Sequence, residues 1–159
     1  MTGEREAAMD GSAPSGAVTV RQRTLDGIAA GTVPIPAFVK RLSLQVVAME
    51  WRTGAVTVRF RIPGDLCVEP GIVFGGHVAG VHDQAAGFVM YSLLEDRMMF
   101  ATTRLDVRYL AVTRPGEVCA EAELHTRDER SAEVRVSLTQ DGKVTSESLV
   151  TEAVMETRR

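Results

Sequence analysis

The sequence has few cysteines, no strong excess of charge and no long apolar run, and each lack argues against a class of protein. Cys67 and Cys119 are its two cysteines; they form no CxxC pair, which argues against a metal or redox motif and fits a reducing compartment. A net charge of −3 argues against general electrostatic binding of nucleic acid. No window approaches the roughly 18 apolar residues of a transmembrane helix, and no signal peptide is predicted. We therefore expect a cytoplasmic protein with no nucleic-acid or membrane partner.

The composition is that of an ordinary soluble globule. Of 159 residues, 45% are apolar and 25% are charged, which suffices for a core without disulfide or metal staples. Residues 1–17 lack apolar periodicity and are expected to form a disordered leader, with residues 18–159 as a single domain. A single domain has no cleft between domains, so a site would lie on its surface or between subunits.

The hydrophobic periodicity predicts one long helix among strands. A short helix is expected over 20–30, ending at Gly31, and a further helical turn over 36–40. Residues 63–71 are expected to be a loop, and the long helix covers 76–94. Alternating patterns predict strands over 42–50, 55–62, 99–111, 117–126, 132–140 and 144–155. Residues 51–54 and Asp141-Gly142 are expected to be hairpin connections. The predicted class is α+β, with an antiparallel sheet of about six strands wrapped around one long central helix.

The start of the long helix carries two adjacent glycines. Gly75 and Gly76 stand where a loop becomes a helix, and the first turn of a helix has unpaired N–H donors and the positive end of the dipole. A developing oxyanion could bind there. The alternative is that the pair only lets the chain turn.

A stripe of small residues runs along one face of this helix and contains one carboxylate, Asp83. Glycine in a helix interior costs about 1 kcal/mol, which suggests close approach of another backbone or a ligand. The alternative is a structural Asp83, either buried and hydrogen-bonded or exposed on a solvent face. The stripe, at helical spacing, consists of Gly76, Ala79, Gly80, Asp83, Ala86 and Gly87.

The stretch resembles the signature of the hot-dog-fold acyl-CoA thioesterases, especially the phenylacetate-degradation type. The resemblance rests on Gly-Gly followed by an acidic residue seven positions after the second glycine, which is the spacing from Gly76 to Asp83. It covers roughly residues 21–155. Further similar segments are 31–36, 102–110, Pro115-Gly116 and Asp141-Gly142.

The resemblance implies a mechanism. The backbone N–H of Gly75 or Gly76 would polarise the thioester carbonyl, and Asp83 would act either as general base or as nucleophile. Thr102 matches the position of a hydroxyl that orients the water or the carboxylate, with Thr103 as a near competitor. Phe74 stands where many relatives carry His before Gly-Gly.

The spacing between the two candidate groups bears on assembly. Gly75 and Asp83 are eight residues apart, about 12 Å along a helix, so they cannot both reach one thioester carbon from the same helix. Two antiparallel copies of the helix would bring Gly75 of one beside Asp83 of the other. The resembling family builds its sites in this way, and we expect a homodimer or a dimer of dimers.

The predicted substrate is a thioester of coenzyme A or of an acyl carrier protein, with no cofactor beyond the coenzyme A in the substrate and no metal. His77 would lie at the surface or the pocket rim, and Arg104 and Arg130 are candidates for phosphate contacts. His77 and His82 lack the H-x3-H spacing of a zinc pair. Two alternatives are a non-catalytic acyl-CoA binder or sensor, and a dehydratase, for which the sequence has no matching His and acid pattern.

Overall fold

The computed structural model describes residues 17–42 and 44–157, so the expected leader, apart from Ala17, lies outside the described residues. Helix α1 (Val20–Ala29) begins with a capping box in which the Thr19 hydroxyl accepts from the Gln22 N–H. It ends before Gly31, whose φ of +70° is the left-handed conformation predicted for that glycine. Helix α2 (Ala37–Arg41) is the expected second helical turn.

One six-stranded antiparallel sheet forms the bulk of the structure. The strands are β1 (Gln45–Arg52), β2 (Ala55–Ile62), β5 (Met98–Tyr109), β6 (Gly116–Arg127), β7 (Ser131–Gln140) and β8 (Lys143–Glu156). They run in the order β1-β2-β6-β7-β8-β5. Alternate residues on β2, β7 and β8 are buried, which is why period-two patterns predicted these strands.

Two expectations about connections are wrong. Strand β1 continues to Arg52, because Trp51 pairs with Val56 of β2 and its indole N–H donates to Asp26, so the turn is only Thr53-Gly54. The expected loop over 63–71 contains the 3-10 turn Gly64–Leu66 and the first strand of a small ribbon formed by β3 (Cys67–Glu69) and β4 (Ile72–Val73). These strands are too short for periodicity to indicate them.

The long helix α3 (Gly75–Leu93) lies against the sheet. Its interior glycines, Gly80 and Gly87, each cost about 1 kcal/mol relative to alanine. Burial of Phe88 and Val89 offsets this, because a fully buried side chain of this size contributes roughly 2 kcal/mol. The predicted α+β architecture, with six antiparallel strands and one long helix, is confirmed.

Within residues 17–42 and 44–157, no helix is long and apolar enough to cross a membrane.

Candidate active site

A hydroxyl joins two carboxyl groups where α3 faces the β5 edge of the sheet. The Thr102 Oγ1 atom lies 2.8 Å from Oδ1 of Asp83 and 3.2 Å from Oε1 of Glu152. Asp83 is half-buried on α3, whereas Glu152 is fully buried on β8, where it pairs in register with Thr102. The sequence-predicted pair of Asp83 and Thr102 is therefore brought together.

Glu152 is the member of this cluster that sequence reasoning missed. Burial, which penalises its charged form, raises the pKa of the Glu152 carboxyl to about 7; the Thr102 contact opposes this shift and the nearby charge of Asp83 adds to it. Its Oε2 atom is buried with no hydrogen-bond partner among the described residues. The one signal in the sequence is alternation, since Glu152 is in phase with the inward-facing Val150 and Val154.

Strand β8 binds a second buried titratable group, His82, through two serines. The Ser146 hydroxyl lies 2.7 Å from Nε2 of His82, and the Ser148 hydroxyl lies 2.8 Å from Nδ1. Burial lowers the pKa of His82 to about 4, so its ring is neutral near neutral pH. Both nitrogens are occupied by serines, so His82 forms no dyad with Asp83.

The N–H groups of the first two residues of α3 have no acceptor among the described residues. Gly75 and Gly76 are its first two residues, which have no intrahelical acceptor, and the side chain of the N-cap residue Phe74 makes no capping hydrogen bond. The hydroxyl of Tyr109, a residue the sequence did not single out, donates to the Gly75 carbonyl at 2.7 Å. A Cβ on Gly76 would lie 2.6 Å from the Phe74 ring, so a larger residue there would push this exposed ring aside.

The remaining predicted residues are spread around this region. His77, predicted at the surface or the pocket rim, is half-buried; burial lowers its pKa, and its Nε2 atom has no partner among the described residues. Thr103 sits at a β-bulge, and its hydroxyl donates to the Thr151 carbonyl. Arg104 forms an exposed ion pair with Asp106 on its own strand, and Arg130 lies in the turn between β6 and β7.

The carboxylate of Asp83 opens onto a small, largely apolar pocket. Its volume is about 140 Å³. The rings of Tyr91 and Phe100 meet there edge to face, with ring centroids 6.1 Å apart. The pocket is lined by Pro36, Phe38, Asp83, Gln84, Gly87, Phe88, Tyr91, Phe100 and Thr102.

A larger groove of about 780 Å³ lies on the solvent-facing side of the sheet, among exposed residues such as Thr57, Glu121 and Arg135, and shares no residue with the small pocket. Nowhere in the part of the chain that the structure describes do three His, Cys, Asp or Glu residues cluster as metal ligands would.

Comparisons with known proteins agree with the geometry. Residues 70–147, which contain α3, β5, β6, β7 and the start of β8, match the thioesterase superfamily. No curated protein matches the chain.

Several solved structures share the fold. A phenylacetic acid degradation-related protein from Ralstonia eutropha is 22% identical, with a TM-score of 0.71 over 82% of this chain and 98% of that one. A thioesterase from Haemophilus influenzae is 16% identical, with a TM-score of 0.70 over 84% and 91%. A thioesterase family protein from Silicibacter pomeroyi is 16% identical, with a TM-score of 0.71 over 86% and 99%. The predicted hot-dog fold and resemblance are confirmed.

Proposed function

We propose that this chain, which matches the thioesterase superfamily over residues 70–147, is a thioester hydrolase that converts an acyl-coenzyme A to a free acid and coenzyme A in a site shared by two copies. The observation that carries the proposal is the half-buried Asp83 carboxylate, held by Thr102 at the mouth of an apolar pocket. A hydrogen-bonded carboxylate beside an apolar pocket can act on the carbonyl of a bound acyl group.

The reaction needs an acceptor for a proton and donors for an oxyanion. In the general-base route, Asp83 takes a proton from water as the water oxygen attacks the thioester carbon. In the nucleophilic route, the carboxylate itself attacks and water then hydrolyses the mixed anhydride. In both routes the carbonyl oxygen gains negative charge, which the N–H groups of Gly75 and Gly76 can stabilise, and the C–S bond breaks to release the thiolate of coenzyme A.

The second copy follows from distance. Gly75 and Asp83 lie on one continuous helix, about 12 Å apart along its axis. The partner's Gly75 would complete the site if two α3 helices approached in antiparallel. The face of α3 that carries Asp83 favours close approach, because a Cβ added at Gly80 would meet no atom within 4 Å.

The edge of the sheet favours the same association. Strand β5 is last in the strand order, so one side of its backbone pairs with no strand among the described residues. Such an edge is a template for pairing with another chain. Exposed apolar side chains surround it and the start of α3, as expected of an interface: Phe74, Met99, Tyr109, Leu110 and Val112.

The pocket limits the acyl group. A volume of about 140 Å³ is close to that of engineered apolar cavities of about 150 Å³ that bind benzene. We therefore expect the part of the site that one copy supplies to fit a short or singly ringed acyl group better than a long chain. Arg104 and Arg130 remain candidates for the phosphates of coenzyme A.

The first test is free-thiol release from a panel of short, long and aryl acyl-coenzyme A thioesters. Asp83→Asn should lower kcat by about 100-fold or more, the scale expected for an acid–base group. Asp141→Asn, the same change in an exposed turn where asparagine tolerates the positive φ, is the matched control. Full activity of the Asp83 variant would contradict the mechanism, and binding of thioesters without turnover by the wild type would support the non-catalytic binder.

Mixed dimers test the shared site. Gly75→Pro deletes one N–H at the first helical position, where proline is tolerated, and should lower kcat by about 100-fold. Co-refolding it with Asp83→Asn should restore about a quarter of wild-type activity, because half of randomly formed dimers are mixed and each has one intact site. No recovery on mixing would contradict sharing.

A further inference from the structure

The Thr102 hydroxyl has a single hydrogen, which limits the protonation states that the carboxyl groups of Asp83 and Glu152 can have together. The Thr102 Oγ1 atom lies within hydrogen-bond distance of both Asp83 and Glu152. A hydroxyl has one hydrogen to donate, and an ionised carboxylate can only accept. If both acids were ionised, one contact would join two oxygens with no hydrogen between them. One of the two carboxyls therefore has to supply a proton to the cluster.

Burial decides which carboxyl is protonated. Asp83 is partly exposed to solvent, whereas Glu152 is 0% exposed and its Oε2 atom has no partner among the described residues. A buried carboxylate with an unpaired oxygen is far costlier than a buried neutral acid. The proton therefore belongs on Glu152, and its O–H points to Thr102.

We propose that neutral Glu152 is a positioning residue that donates to Thr102 and so directs the single Thr102 hydrogen to Asp83. The chain of donors runs from Glu152 through Thr102 to the Asp83 carboxylate. It holds that carboxylate in one orientation towards the pocket. This inference rests on the proposed function, because it assigns Glu152 a part in keeping the reactive group in place; it adds a residue that never touches the substrate.

The inference predicts a loss of activity at alkaline pH. Burial raises the pKa of Glu152 to about 7. When Glu152 loses its proton, it competes for the Thr102 hydrogen and repels Asp83. Around it, α3 presents the charged Asp83, β5 presents Thr102, and β7 presents the uncharged Ala132 and Val134. On β8 itself the inward neighbours are Val150 and Val154.

The test is the pH profile of kcat for wild type, Glu152→Gln and Glu152→Leu. Wild type should lose activity with a midpoint near pH 7. A glutamine amide can donate to Thr102 and does not titrate, so Glu152→Gln should stay within about threefold of wild type at low pH and lack the alkaline decline. Glu152→Leu supplies no donor and should lower kcat about tenfold or more. Glu147→Gln, on the outer face of β8, is the matched control.

Two results would overturn the proposal: an unchanged alkaline decline in Glu152→Gln, or a wild-type profile in Glu152→Leu. In the Thr102→Val background at low pH, where Glu152 is protonated, Glu152→Gln should have no further effect on kcat, since the chain of donors is already broken. Carbon-13 NMR of labelled glutamate gives a readout independent of turnover. One carboxyl should titrate near pH 7 in the wild type and be missing in Glu152→Gln.

If Asp83→Asn stays active, the proposed function fails; if only the Glu152 results fail, the positioning role alone is wrong.

Discussion

Two buried titratable side chains lie between α3 and β8, and they differ in how completely they are paired. His82 has a serine hydroxyl on each ring nitrogen. Glu152 has one oxygen near Thr102 and another with no partner among the described residues. Both are 0% exposed. A buried group whose hydrogen bonds are all made contributes to holding the structure together. A buried group with an unpaired atom can still gain or lose a proton, and its change of charge acts on neighbouring groups.

The same physical cause acts on the two groups with opposite sign. Desolvation disfavours the charged form, so it raises the pKa of the acid to about 7 and lowers the pKa of the base to about 4. At pH values between about 4 and about 7, the side chains of His82 and Glu152 are both neutral. Only Glu152 changes charge near neutral pH, and only Glu152 is connected to Asp83 through a single hydroxyl.

The largest expected effect comes from removing the fully paired group. His82→Leu leaves the hydroxyls of Ser146 and Ser148 without their ring partner, so the free energy of unfolding should fall by about 3 to 4 kcal/mol. Urea unfolding followed by circular dichroism measures this. His125→Leu, at an exposed position, is the matched control. A similar loss of stability in His82→Leu and His125→Leu would show that the hydrogen bonds to the serines contribute nothing to stability. That result would contradict the contrast drawn between His82 and Glu152.

The pH dependence of unfolding sharpens the comparison. The folded pKa of Glu152 is raised from 4.5 to about 7, so stability is lost as pH rises through that window, by about 3 kcal/mol. The folded pKa of His82 is lowered from 6.5 to about 4, so stability is lost as pH falls through that window, by a similar amount. The difference in free energy of unfolding between wild type and Glu152→Gln isolates the contribution of Glu152. A difference that does not change with pH would contradict that contribution.

Most of the fold could be predicted from the sequence because it depends on local patterns. Alternation indicates the strands, and Asp141-Gly142 indicates a hairpin turn whose two residues both have positive φ. The end of β1 was mispredicted because Trp51 is fixed by a contact with Asp26 of α1, which periodicity does not encode.

The site was predicted less completely because its last member depends on a non-local pairing. Alternation places Glu152 inward, but only the pairing of β8 with β5 sets it beside Thr102, fifty residues away. The choice between Thr102 and Thr103 is also non-local. A bulge in the pairing with β8 sends the Thr103 hydroxyl to a backbone carbonyl and leaves Thr102 for Asp83.

The smallest effects come from removing the serines one at a time. A neutral imidazole has one N–H and one acceptor nitrogen. With either serine replaced by alanine, the ring can place its N–H on the remaining hydroxyl and leave only a bare acceptor, so Ser146→Ala and Ser148→Ala should each cost about 1 kcal/mol. The double variant must bury an unpaired N–H, so its cost should exceed the sum. Urea unfolding of the single and double variants measures this, with Ser137→Ala as the control. Strict additivity would mean that the tautomer does not adjust, and that His82 is held more rigidly than its pairing requires.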